Sequence, residues 1–193
     1  MAKSIKLLLL CLVLFCLPKA TLEAQDRYQL TSNQELVVLG SSTLHNWEMV
    51  TDVAEGGGLF WFEEGKLTNA ENLEIAFEAA SLESGRGAIM DRNARRALKA
   101  EEHPQIIFKL TELITDEEGS QKAKGELTAG GVTRLVTFSL NCRLNNGKVQ
   151  ARGMAHIKLT DFEIKPPVAL AGTLKTGDAV SLEFILMFEK ETL

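Results

Sequence analysis

The side chains with most to offer chemically are the three histidines, Cys142 and a group of arginines. Imidazole is the commonest protein ligand for metals, so His45, His103 and His156 raise the question of a metal centre. None stands at ligand spacing from another, and His156 shares strand parity with Arg152 and Lys158, which puts it on a polar face. No metal site and no cofactor are expected. His45, inside Leu44-His45-Asn46-Trp47, reads as a ring bonded to a neighbouring backbone group. Cys142 has the parity of Val136, Phe138 and Leu140, an apolar face on which burial raises a thiol's pKa and suppresses the reactive thiolate. It reads as structural; the alternative is a free thiol that pairs between chains and gives a homodimer. Glu101 and Glu102 are sequence neighbours at a helix end, where carboxylates are solvated. No Gly-x-Ser-x-Gly elbow, Walker loop or HExxH pair occurs, so no catalytic residue is assigned and the chain does not read as an enzyme. Arg92, Arg95 and Arg96, with Lys99, could hold an anionic head group through charge-assisted hydrogen bonds. Their competing reading is a solvated helix face.

The elements that must position these groups are mostly strands, because the dominant signal is period-two alternation. Val180, Leu182, Phe184, Leu186 and Phe188 share one face, and Leu73, Ile75, Phe77 and Ala79 alternate with Glu74 and Glu78. Further alternating runs occupy 36–43, 59–62, 106–110, 132–142 and 149–159. Turn signals at 63–65, 116–119, 130–131 and 145–147 separate several of them; Asn145-Asn146-Gly147 reads as a tight hairpin turn. One stretch departs from this period. Across 88–100, Met90, Ala94, Ala97 and Leu98 recur at helical spacing, which predicts a short amphipathic helix that stops before Pro104. The pattern as a whole predicts an all-β sandwich or barrel, and a barrel with one short helical insertion is the architecture drawn from it.

The first 24 residues stand apart. Lys3 and Lys6 precede an apolar run over 7–17, followed by Pro18 and by small residues at Ala20 and Ala24. This is the order of a cleavable signal peptide, and an 11-residue apolar run is too short for the ~30 Å bilayer core. The expectation is a signal peptide over 1–24, cleavage near Ala24, no stable membrane anchor, and a single domain over 25–193 that is periplasmic or secreted. Cys11 and Cys16 leave with the signal, so no disulfide can form within the remaining chain. That remainder carries 18 basic and 25 acidic side chains, a net charge of −7, which argues against nucleic-acid binding.

The motifs taken together are similar to those of the YceI-like family. They are Gly40-Ser41-Ser42-Thr43-Leu44-His45-Asn46-Trp47, Met90-Asp91-Arg92, Ala97-Leu98-Lys99, His103-Pro104-Gln105-Ile106-Ile107-Phe108, Gly125-Glu126-Leu127-Thr128, Gly131-Val132-Thr133, Asp161-Phe162-Glu163-Ile164 and Gly177-Asp178-Ala179-Val180, in that order over essentially all of 25–193. Asn46 stands where an aspartate is common in that family, and Arg134 where a lysine is. The resemblance implies an extended antiparallel β-barrel of about eight strands, lipocalin-like, whose apolar interior takes a polyisoprenoid or another long-chain lipid in the periplasm. Combined with strand parity, it makes Leu73, Ile75, Phe77, Phe108, Val136, Phe138, Leu140, Leu182, Phe184 and Leu186 the expected tunnel lining. The function it implies is carriage or sequestration of such a lipid. The competing expectation is an envelope or stress-related scaffold that acts through protein contacts and has no lipid ligand.

Overall fold

The computed structural model describes residues 26–191, apart from the side chains at 169 and 170. The expected signal segment lies outside them. Eleven strands occur among these residues: β1 (Asp26–Leu30), β2 (Glu35–Ser42), β3 (Asn46–Thr51), β4 (Ala54–Glu63), β5 (Lys66–Glu78), β6 (Gln105–Thr115), β7 (Gln121–Ala129), β8 (Val132–Asn145), β9 (Lys148–Lys158), β10 (Val168–Ala169) and β11 (Leu174–Lys190). One α-helix, α1 (Ala88–Ala97), lies between β5 and β6.

Eight strands close a ring in the order β1-β4-β5-β6-β7-β8-β9-β11, and β11 returns to β1 through Phe188 opposite Leu30 and Lys190 opposite Tyr28. Every pairing is antiparallel, so the expected eight-stranded barrel is the observed one. Closure leaves the ring without unpaired strand edges. The 17-residue β11 serves two partners on one side: its later part meets β1, and its earlier part meets β2, with Phe184 opposite Leu36. β2 and β3 form a hairpin that branches from the ring.

The two ends of the barrel differ because their connections differ. At one end β4–β5, β6–β7 and β8–β9 are joined by short turns. In two of these turns, Glu64-Gly65 and Asn146-Gly147, both residues have positive φ, the mirror-image geometry that matches strand twist in hairpins. The interior at this end is filled by aromatic packing: the Phe60 ring lies 5.4 Å from Tyr28 and 5.2 Å from Phe188. The opposite end carries the two long connections, residues 79–104 and 159–173, together with the short β2–β3 turn at 43–45 and the β7–β8 turn at Gly130-Gly131.

The segment after β5 covers the gap beside β3. Val50 and Glu83 exchange backbone hydrogen bonds of 2.8 and 2.9 Å, and Thr51 bonds Ser81 through their hydroxyls. Asp91, in the first turn of α1, accepts hydrogen bonds from Ser84 N (2.9 Å) and Ser84 Oγ (2.7 Å) and so fastens the helix to this segment. α1 ends sooner than the apolar period suggested. Lys99 takes a left-handed φ of 51°, with Lys99 N donating to Arg96 O and Ala100 N donating to Arg95 O. That pair of bonds is the Schellman arrangement, which satisfies helix-end carbonyls and turns the chain away.

Candidate functional site

An apolar cavity of about 470 Å³ runs from the aromatic floor up to the end that carries the long connections. This volume falls within the range of small-molecule sites, about 300–1,000 Å³. Phe60 and Phe188 form its floor, the inward-facing residues of the ring and of β2–β3 form its walls, and α1 lies along its upper side.

Nine of the ten residues named from parity and resemblance stand on this wall: Leu73, Ile75, Phe77, Phe108, Phe138, Leu140, Leu182, Phe184 and Leu186. Val136 is buried but off the cavity wall. Met90, Ala94, Ala97 and Leu98, the apolar stripe of α1, also face the cavity.

Bulky rings coexist with open space because several of them lie against glycine. Trp47 is the register partner of Gly40, and Phe184 that of Gly153. Phe108 lies diagonally across from Gly125, whose direct partner is Leu110. A methyl group at Gly153 would stand 2.5 Å from Phe184 Cζ, and one at Gly125 would stand 2.6 Å from Phe108 Cζ. At Gly40 it would fall inside the Trp47 indole, which is fixed by a 2.9 Å bond from Nε1 to Ser41 O. The missing side chains let the rings fold down onto the sheet. Phe138 joins two of these rings edge-on, 5.2 Å from Phe108 and 5.4 Å from Phe184.

Polar character is confined to the mouth. Ser42, His45, Arg86, Asn93 and Thr176 border the cavity there, where β2–β3, the start of α1 and the start of β11 converge. The His45 ring is exposed, with Nδ1 3.0 Å from Asn46 O, the backbone contact its neighbourhood suggested. Arg92, Arg95 and Arg96 are exposed and off the cavity wall. Three mouth residues, Arg86, Asn93 and Thr176, escaped the sequence reading. Asn93 had a signal, since it occupies the apolar stripe at three residues from Met90 and four from Ala97. Arg86 had none beyond its place between Gly85 and Gly87.

The other reactive side chains play structural parts. Cys142 lines the cavity, and burial pushes its thiol up to about 12. His103 packs over Gly131, and His156 lies on the outer face with Nδ1 2.8 Å from Ser181 Oγ. Asp178 accepts from Thr160 N (2.9 Å) and Thr160 Oγ1 (2.7 Å), and these bonds lower its pKa. They hold the Leu159–Phe162 turn, from which Phe162 is buried in the core. Among the described residues no group of three or more His, Cys, Asp or Glu is placed to hold a metal, and no helix is long and apolar enough to cross a membrane.

Comparison with known proteins agrees with this architecture. The YceI-like domain description matches residues 29–188. The crystal structure of Burkholderia cenocepacia BcnA superposes with a TM-score of 0.69 at 16% identity, covering 82% of this chain and 98% of that one. A polyisoprenoid binding domain from Saccharophagus degradans, implicated in plant cell wall breakdown, gives 0.63 at 14% identity, covering 87% and 100%. A mutant Campylobacter jejuni YCEI protein with a monobromobimane guest gives 0.53 at 17% identity, covering 70% and 81%. No curated protein matches in sequence.

Proposed function

This chain belongs to the YceI-like family, and we propose that it binds one long-chain amphiphile of the polyisoprenoid class, tail in the barrel and polar end at the mouth, and carries or sequesters it. The observation that carries the reading is the distribution of polarity in the cavity: apolar from floor to upper wall, polar only at Ser42, His45, Arg86, Asn93 and Thr176. The structural likeness to a polyisoprenoid binding domain supports the ligand class.

The energetics favour transport over capture. Moving a prenyl chain out of water yields about 0.8 kcal/mol per CH₂-sized group. A bilayer interior offers nearly the same gain, so such a cavity shields a lipid from water without holding it against a membrane. The nine wall residues named above would contact the tail, and Arg86 with Asn93 would meet the head group. Arg92, Arg95 and Arg96 would add positive potential from outside the cavity. The N-terminal pattern supports export into the periplasm or beyond, with residues 1–24 removed, where a shielded lipid has water to cross.

Mass spectrometry of an organic extract from natively purified protein tests this. A long-chain amphiphile near one per protein is expected. Protein that is free of lipid and takes up no fluorescent prenyl probe would overturn it.

A further inference from the structure

The connections that frame the mouth also carry exposed apolar side chains. Leu44, Ile89 and Val168 are 69%, 72% and 60% exposed. Leu44 sits at the β2–β3 turn, which is tied to the start of β11 by Thr43 N to Lys175 O (3.0 Å) and Thr43 Oγ1 to Thr173 O (3.1 Å). Val168 is beside it, since it pairs with Lys175. Ile89 stands in the first turn of α1, and both Ile89 and Val168 border the cavity. Apolar groups left in water around an opening mark a surface made to be covered.

Charge indicates what covers it. Segments 43–45, 79–104 and 159–175 together hold seven Lys and Arg against six Asp and Glu, on a mature chain of net charge −7. Of the six, Glu163 faces a cation outside these segments, Arg134, at 3.9 Å. Arg86, Lys165 and Lys175 are exposed beside the apolar rim. At the closed end the three turns over 63–66, 116–120 and 145–148 carry Glu63, Glu64, Asp116, Glu117 and Glu118 against Lys66 and Lys148. The molecule is thus polarised along the barrel, and a negatively charged plane attracts the mouth and repels the floor.

We propose that the mouth docks on an anionic lipid bilayer, with Leu44, Ile89 and Val168 entering the headgroup region and Arg86, Lys165 and Lys175 meeting lipid phosphates. Docked this way, the cavity opens directly onto the bilayer, and a chain passes between them without crossing water. The proposal builds on the lipid-carrying reading, but its test is separate.

The test is sedimentation of the purified protein with vesicles of phosphatidylglycerol and phosphatidylcholine, and with vesicles of phosphatidylcholine alone. Anionic vesicles should bind the protein, less so as salt rises, and the neutral ones should bind it far more weakly. The combined variant Leu44→Asp, Lys165→Glu, Lys175→Glu, at three residues off the cavity wall, should partition about tenfold more weakly yet still take up a detergent-dispersed prenyl probe. Leu135→Asp, at a side-wall residue 66% exposed, should bind vesicles as the parent does. No binding to anionic vesicles, equal binding to both vesicle types, or equal losses from the rim variant and Leu135→Asp each overturn docking. Binding of the parent protein to anionic vesicles without any uptake of the prenyl probe would count against the lipid-carrying reading instead.

Discussion

The Phe184 ring lies against the backbone of Gly153, its register partner on the neighbouring strand. A side chain at 153 would press on Phe184 and, on the other side, on Ser139 O of β8, which is backbone and gives little. Gly153→Ala is therefore expected to lose about 1–3 kcal/mol in urea unfolding, the range for overpacked cores. The displaced ring would enter the cavity, so the variant should also take up less prenyl probe. Unchanged stability and unchanged uptake would contradict the flattened-ring account.

Cys142 gives a reporter of the cavity. Its thiol, pushed to about 12 from 9.0 by burial, holds about a thousandfold less thiolate at pH 8 than an unperturbed cysteine. Iodoacetamide should therefore modify the native protein about a thousandfold more slowly than the urea-unfolded chain. Because the unfolded thiol ionises first, stability should also decline as pH rises from about 9 towards 12. Rapid native labelling would show that the sulfur is not on the buried wall.

The Asp91–Ser84 clamp should respond to acid. Ser84 donates two hydrogen bonds to the Asp91 carboxylate and lowers its pKa, so the clamp's contribution is present above the unfolded value of 3.8 and disappears as pH falls through the lower folded one. Hydrogen-exchange protection over 82–92, corrected for the intrinsic rate at each pH, should fall as the pH drops below 3.8 and through the lowered pKa of Asp91. Asp91→Asn should show the lower protection already at pH 6, with the β8–β9 hairpin unaffected. The carboxylate is solvent-exposed, so the effect on global stability should be small.

Head-group selection at the mouth should separate from tail binding. Arg86→Ala is expected to weaken a phosphate-headed prenyl probe about tenfold, the worth of a charge-assisted hydrogen bond, and a prenyl alcohol much less. Combining Arg92→Ala, Arg95→Ala and Arg96→Ala should change both affinities little in 0.15 M salt, because those side chains are exposed and off the wall. Competition titrations with the two probes would read the difference.

The parts of this molecule legible in sequence are those where one periodicity governs one environment. Leu182, Phe184 and Leu186 face inward because ring closure gives β11 one wet and one dry side. β7 escaped because its inward face, Ala123, Gly125, Leu127 and Ala129, carries little apolar bulk, and Gly125 is there for the Phe108 ring rather than for the strand. β1 offers only Tyr28 and Leu30, and β3 only Trp47 and Met49, as alternating large apolar residues. In α1 the cationic side chains drew attention by charge, yet charge carries no direction: Arg92, Arg95 and Arg96 point away from the cavity. The informative residue was the quieter Asn93, polar on an apolar stripe. Arg86 lies in an irregular segment, where position follows from tertiary contacts that no local period encodes.

The long β11 has a kinetic consequence. Both the contact that closes the ring, Lys190 with Tyr28, and the one that anchors the side hairpin, Phe184 with Leu36, await β11, the last of the described strands in chain order. Until then the earlier strands form an open, incomplete sheet, and closure joins residues from opposite ends of the domain, a topology that folds slowly. Such a barrel stays split along one side until β11 arrives, and only then does its wall become continuous around the cavity.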